Sequence, residues 1–109
     1  MVLYVLAKDE RPADSAGCPL QNYMIFVYIL ISLKDFTLYT GIASDVDKRL
    51  DYHNRGLNQS TKYKRPLKLI YFEAYTNKKD AYLRERFLKS GRGREVIKKQ
   101  IANTIAGII

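Results

Sequence analysis

Seven consecutive apolar and aromatic residues, Ile25 to Ile31, constrain this chain most. The run has strand length and is partly β-branched, so it reads as a buried strand. Ser32-Leu33-Lys34-Asp35 supplies a four-residue turn, and Phe36 to Ile42 a second strand ended by Ala43-Ser44. Strands joined by so short a turn are antiparallel. The turn pairs Ile31 with Phe36, which sets Tyr28 opposite Tyr39 with both rings on one face. A slip of one residue would separate them. Gly41 shares their face. A glycine inside a strand marks either a bulge or a close approach of other atoms.

Ser44 with Asp47 resembles a capping box for a helix from about Asp45 to Asn54, stopped by Gly56. Its apolar residues are Val46, Leu50 and Tyr52. A polar loop, 57–66, leads to a third strand, Lys68 to Tyr75. Asn77 and Asp80 cap a helix over Lys78 to Lys89, with Leu83, Phe87, Ala81 and Leu88 as its buried stripe. Ser90-Gly91-Arg92-Gly93 breaks it. A last helix from about Arg94 carries Ile97, Ile101 and Ile105 on one face. The order β-β-α-β-α-α predicts an α+β fold, a small three-stranded antiparallel or mixed sheet flanked by helices.

At 109 residues the chain suits one domain. Residues 1–23 read as an N-terminal extension, loop or disordered, and residues 24–109 as the domain. The extension carries Lys8 and Arg11 against Asp9, Glu10 and Asp14, a net −1, so within the chain's formal +8 the remainder carries +9. Such a field attracts polyanions, nucleic acid first among them. Cys18 is the only cysteine, which excludes an intrachain disulfide and a cysteine-rich zinc site. No apolar stretch is long enough to span a bilayer, and the opening residues are too short for a secretory signal. A cytoplasmic protein is expected, with no membrane partner, as a monomer or weak homodimer.

The chemistry-bearing groups follow a spacing. Arg49 and His53 are one turn apart on a helix face, with Lys48 beside them. Arginine offers a planar, permanently charged fork that matches phosphate oxygens. His53, the only histidine, can exchange protons near neutral pH. Glu85 sits mid-helix, either as a surface pair with Lys89 or as a single carboxylate for Mg²⁺. Lys62, Lys64, Arg65 and Lys68, interleaved with Tyr63, suit backbone contacts and base stacking on a nucleic acid. The two tyrosines serve equally well as an ordinary cross-strand aromatic pair.

As a set, Tyr28, Tyr39-Thr40-Gly41, Arg49, His53 and Glu85 resemble the GIY-YIG nuclease superfamily over about Met24 to Lys99. Val27-Tyr28-Ile29-Leu30, His53-Asn54-x-Gly56, Arg65-Pro66, Tyr71-x-Glu73 and Arg84-Glu85-x-x-Leu88-Lys89 are similar to its small stand-alone bacterial members of the YhbQ/YazA type. The resemblance implies metal-dependent cleavage of a phosphodiester. Tyr28 and Tyr39 would help deprotonate the attacking water, and Arg49 would stabilise charge on the phosphate. His53 would orient or relay a proton. Glu85 would hold one Mg²⁺, with Mn²⁺ able to substitute. The late asparagine of some members has only Gln100 as a stand-in. The expected activity is a DNA endonuclease of low sequence specificity in repair or recombination, with RNA open as a substrate. The rival readings are a catalytically weak nucleic-acid-binding module, and an adaptor that docks through its Ile-rich last helix.

Overall fold

The apolar run becomes the middle strand of the sheet. The computed structural model describes residues 24–109; the lead-in expected over 1–23 lies outside them. β1 (Ile25–Ser32), β2 (Leu38–Ala43) and β3 (Leu67–Tyr75) lie in the order β2-β1-β3, antiparallel at both pairings. A central strand covered on both faces needs apolar residues at consecutive positions, and Val27 to Ser32 are all buried. Val27 and Ile29 join Ala81, Leu88, Ile97 and Ile101 on one face. Tyr28 and Leu30 join Val46 and Leu67 on the other. Helix α1 (Val46–Asn54) covers the second face. Helices α2 (Lys78–Lys89), α3 (Gly91–Gln100) and the short α4 (Ala102–Ala106) cover the first. The fold is α+β, with one short helix more than expected.

The hairpin register differs from the expected one by two residues. Ile31 pairs with Leu38 rather than Phe36, and Tyr28 pairs with Gly41 rather than Tyr39, which lies opposite Leu30. The turn is longer because Ser32 winds it. Its hydroxyl accepts from the amides of Lys34 (3.1 Å) and Asp35 (3.2 Å). The Phe36 amide then closes on the Ser32 carbonyl at 2.8 Å. Phe36 takes φ 61°, a conformation glycine or asparagine normally supplies. A shift of two keeps side chains on their original faces, so Tyr28, Tyr39 and Gly41 still share one.

Three smaller expectations also change. The cap of α1 is Asp45, whose carboxylate accepts from the Lys48 amide at 3.1 Å, not Ser44. Leu83 is 62% exposed and leaves the stripe of α2. Ala81 and Leu88, two turns apart, define the inward direction, and Leu83 points well away from it. The last helix starts earlier, at Gly91, because the Ser90 hydroxyl accepts from the Gly93 amide at 3.1 Å. It ends at Gln100, and Ile101 sits between two helices. Ile97 and Ile101 are buried and Ile105 packs beside them, so this apolar face covers the sheet and is not free for an adaptor's partner. No helix among the described residues is long and apolar enough to cross a membrane.

Candidate active site

The β1–β2 pairing and the end of α1 bring a phenol and an imidazole together. Tyr28 lies across Gly41, where an added methyl would overlap the phenol ring and hydroxyl. This is the close-approach role of a strand glycine. The Tyr28 hydroxyl is 2.9 Å from His53 Nε2, and His53 Nδ1 is 2.7 Å from the Thr61 hydroxyl. All three side chains are buried. Asn54 fixes the end of α1 against β3: its Nδ2 donates to the Leu67 carbonyl at 2.9 Å, and its Oδ1 accepts from the Leu67 amide at 2.8 Å.

Thr61 comes from the loop between α1 and β3, and that loop is pinned to the hairpin turn. Ser32 Oγ donates to the Lys64 carbonyl at 2.6 Å, and the Leu33 amide donates to the Pro66 carbonyl at 2.8 Å. Lys64 pairs with Asp35 at 2.7 Å, which holds the Asp35 carboxyl well below its ordinary range. The loop's basic residues are therefore partly engaged. Lys62 lies over the exposed Tyr63 ring at 4.9 Å, and Arg65 Nε donates to the Lys62 carbonyl at 2.7 Å. Lys68 is exposed on β3, at the opposite sheet edge from β2.

Tyr39 packs its ring 4.9 Å from His53 and 6.5 Å from Tyr28, and is only part-buried. Arg49 stands over Tyr52, with Cζ 4.5 Å from the ring centroid. Its Nε is buried and finds no hydrogen-bond partner among the described residues. An orphaned guanidinium donor is costly unless an anion completes it. Lys48 is exposed on the same helix. Glu85 comes from α2, in the opposite layer, and pairs with Lys89 at 3.2 Å. Its charge is a minor influence that raises the Tyr28 phenol. No cluster of three histidine, cysteine or acidic side chains occurs among the described residues. Glu85 is the carboxylate that the family resemblance assigns to the metal, and Mg²⁺ is commonly held by one or two carboxylates with water and phosphate completing its shell.

Burial pushes the Tyr28 phenol up to about 12; Tyr39 and Glu85 add to this, and Arg49 opposes it. Burial, assisted by Arg49, brings His53 down to about 4. The imidazole is thus neutral at pH 7, and Tyr28 keeps its proton at rest. In the unfolded chain the ring takes up its proton near pH 6.5, so between about pH 6.5 and 4 the unfolded state binds more protons. The stability from neutral His53 is complete above about pH 6.5 and is lost as pH falls through that window. Urea unfolding should give a lower midpoint at pH 5 than at pH 7, and His53→Gln should flatten the difference. Equal midpoints for the unmutated chain would contradict a buried ring.

A second polar cluster lies on the other face of the sheet. Glu73 is fully buried, and accepts from Tyr71 and Tyr75 at 2.6 Å each and from Arg84 at 3.0–3.2 Å. Burial alone would raise its carboxyl, but Arg84 and the two phenols outweigh this and hold it low. Both phenols are pushed up by burial and by Glu73. Gln100 is engaged here, donating to the Tyr71 hydroxyl at 2.9 Å. Sequence reasoning missed Thr61 and this cluster's role. The Tyr-x-Glu-x-Tyr alternation in β3 was the available signal, since it sets three polar groups on one face.

The model of the GIY-YIG catalytic domain matches residues 24–99. A UPF0213 protein of Clostridium perfringens is 43% identical over 67 residues, 61% of this chain and 71% of that one. A UPF0213 protein of Staphylococcus aureus is 46% identical over 66 residues, 60% of this chain and 79% of that one. No solved structure matches. Since the matched domain takes in both tyrosines, Arg49, His53 and Glu85 and well over half of the sequence, the chain belongs to the GIY-YIG family, as its YhbQ/YazA-type resemblance implied.

Proposed function

We propose that this chain is a metal-dependent endonuclease that hydrolyses DNA phosphodiester bonds with little sequence preference. The observation that carries the reading is the buried Nε of Arg49, without a hydrogen-bond partner among the described residues, with the Arg49 charge acting on Tyr28 and His53. A phosphate oxygen supplies what that donor lacks. Hydrolysis adds water across a P–O bond: the water oxygen attacks phosphorus, its proton goes to a base, and the departing oxygen is protonated.

Tyr39 is the phenol that meets the water, because it is part-exposed while Tyr28 is buried. Tyr28 holds its own proton, with its hydroxyl fixed by His53, whose ring Thr61 holds in place from the other nitrogen. At rest no proton passes from Tyr28 to His53, because about 12 against about 4 runs the wrong way. His53 is therefore an orienting group until the local charge changes. Arg49 grips the phosphate and stabilises the charge that develops on it. Glu85 would hold the divalent ion, Mg²⁺ or Mn²⁺, which supplies charge neutralisation at the phosphate and leaving oxygen. Cations directed at phosphates carry no sequence information, which supports low specificity.

The test is a nicking assay on plasmid and single-stranded DNA, with an RNA arm. Cleavage should occur with Mg²⁺ or Mn²⁺, vanish in EDTA, and fall in Tyr39→Phe. Binding without metal-dependent cleavage would instead identify a nucleic-acid-binding module of the same fold.

A further inference from the structure

A cleft of about 560 Å³ runs along β2, between the hairpin turn and helices α2 and α3, and meets the candidate site at Tyr39 and Thr61. Its floor is apolar: Leu38, with the buried Leu88 and Ile97. Its rim is basic. Lys89 is paired with Glu85, but Arg94 and Lys98 are exposed and have no acidic partner among the described residues. These two stand one turn apart on α3, where like charges repel. A bound phosphate would relieve that repulsion. At the hairpin end stands Phe36, 44% exposed and held at φ 61°. A bulky residue at positive φ is strained, and this one lays an aromatic face at the mouth of a basic cleft.

An apolar floor, an exposed ring and unpaired cations together match an unstacked base and its phosphates. The cleft has the size of a small-molecule site and admits an unpaired nucleotide rather than a double helix. We infer that it binds a single-stranded nucleic-acid segment next to the scissile phosphate, with Phe36 stacking on a base and Arg94 and Lys98 holding the backbone. This rests on the nuclease reading for the adjoining site, and it names that site's substrate as a chain with unpaired nucleotides.

Single-stranded DNA and RNA oligonucleotides carrying 2-aminopurine, with a duplex as control, test it on the full chain in EDTA. Single strands should bind tighter than the duplex, with the fluorophore quenched. Phe36→Gly should weaken binding about 5- to 100-fold, the range of one aromatic–base stack. Its melting temperature should hold or rise, because glycine suits positive φ. Arg94→Gln and Lys98→Gln should each lower the salt slope by about one. Undiminished affinity in Phe36→Gly, or preference for the duplex, overturns the inference. Chelation keeps the two ideas separable. A chain that binds single strands this way but never cleaves when metal is restored sinks the nuclease alone. One that cleaves, yet binds regardless of Phe36, sinks only the cleft.

Discussion

Arg84→Ala should lose about 3–5 kcal/mol of stability, the usual penalty for leaving one partner of a buried ion pair alone. Glu73 is wholly buried and Arg84 is its only cationic partner among the described residues, with contacts at 3.0–3.2 Å. The phenols of Tyr71 and Tyr75 remain, but two neutral donors do not balance a buried charge. Urea unfolding at pH 7 reads the loss directly. The double variant Glu73→Leu with Arg84→Met should recover part of it, because no lone charge is left; full recovery is not expected while two phenols lack their acceptor. The pH dependence separates this account from simple lost packing. In the unmutated chain the Glu73 carboxyl is held low, so its contribution is present above the unfolded value near pH 4.3 and is lost as pH falls through the folded value. In Arg84→Ala the carboxyl is raised instead, so the gap between variant and parent should narrow in acid. A constant gap would mean that Arg84 acts by packing alone, through its position over Phe87.

Glu85→Gln should reduce metal-dependent cleavage on the order of 10²–10³-fold, comparable to removing one transition-state charge contact elsewhere. It should hardly touch stability. The pair with Lys89 is a half-exposed i,i+4 contact, worth about 0.3–0.5 kcal/mol at most. The substitution is isosteric, and Tyr28 keeps its hydrogen bond to His53. Nucleic-acid affinity in EDTA should hold or rise, since a negative charge beside the phosphate is removed. Cleavage at the parent rate would reduce Glu85 to a surface partner of Lys89 and end its assignment as the metal's carboxylate.

Much of the architecture was readable because β1 is apolar or aromatic from Ile25 to Ile31, a pattern that suits a doubly covered strand. The facing of Tyr28, Tyr39 and Gly41 was readable although the register was not. Pairing parity survives a shift of two, and nothing local announced that Phe36 would take a glycine's conformation. The outward turn of Leu83 depends on which flank of α2 meets the sheet, a tertiary fact. Thr61 looked like any hydroxyl in a polar loop; its meaning comes from loop-to-turn contacts about thirty residues apart in sequence, such as Lys64 with Asp35. That β2 would be an outer strand was left undecided by element order alone.

That outer position has a bearing on how the protein behaves in a crowded solution. β2 offers a row of main-chain donors and acceptors to whatever comes alongside, and another copy's strand is the usual danger. Here the approach to Phe36–Thr40 passes the ammonium and guanidinium groups of Lys89, Arg94 and Lys98. Two such copies would bring like charges together before their backbones could meet. A basic rim along an outer strand works against strand-by-strand addition of a second copy.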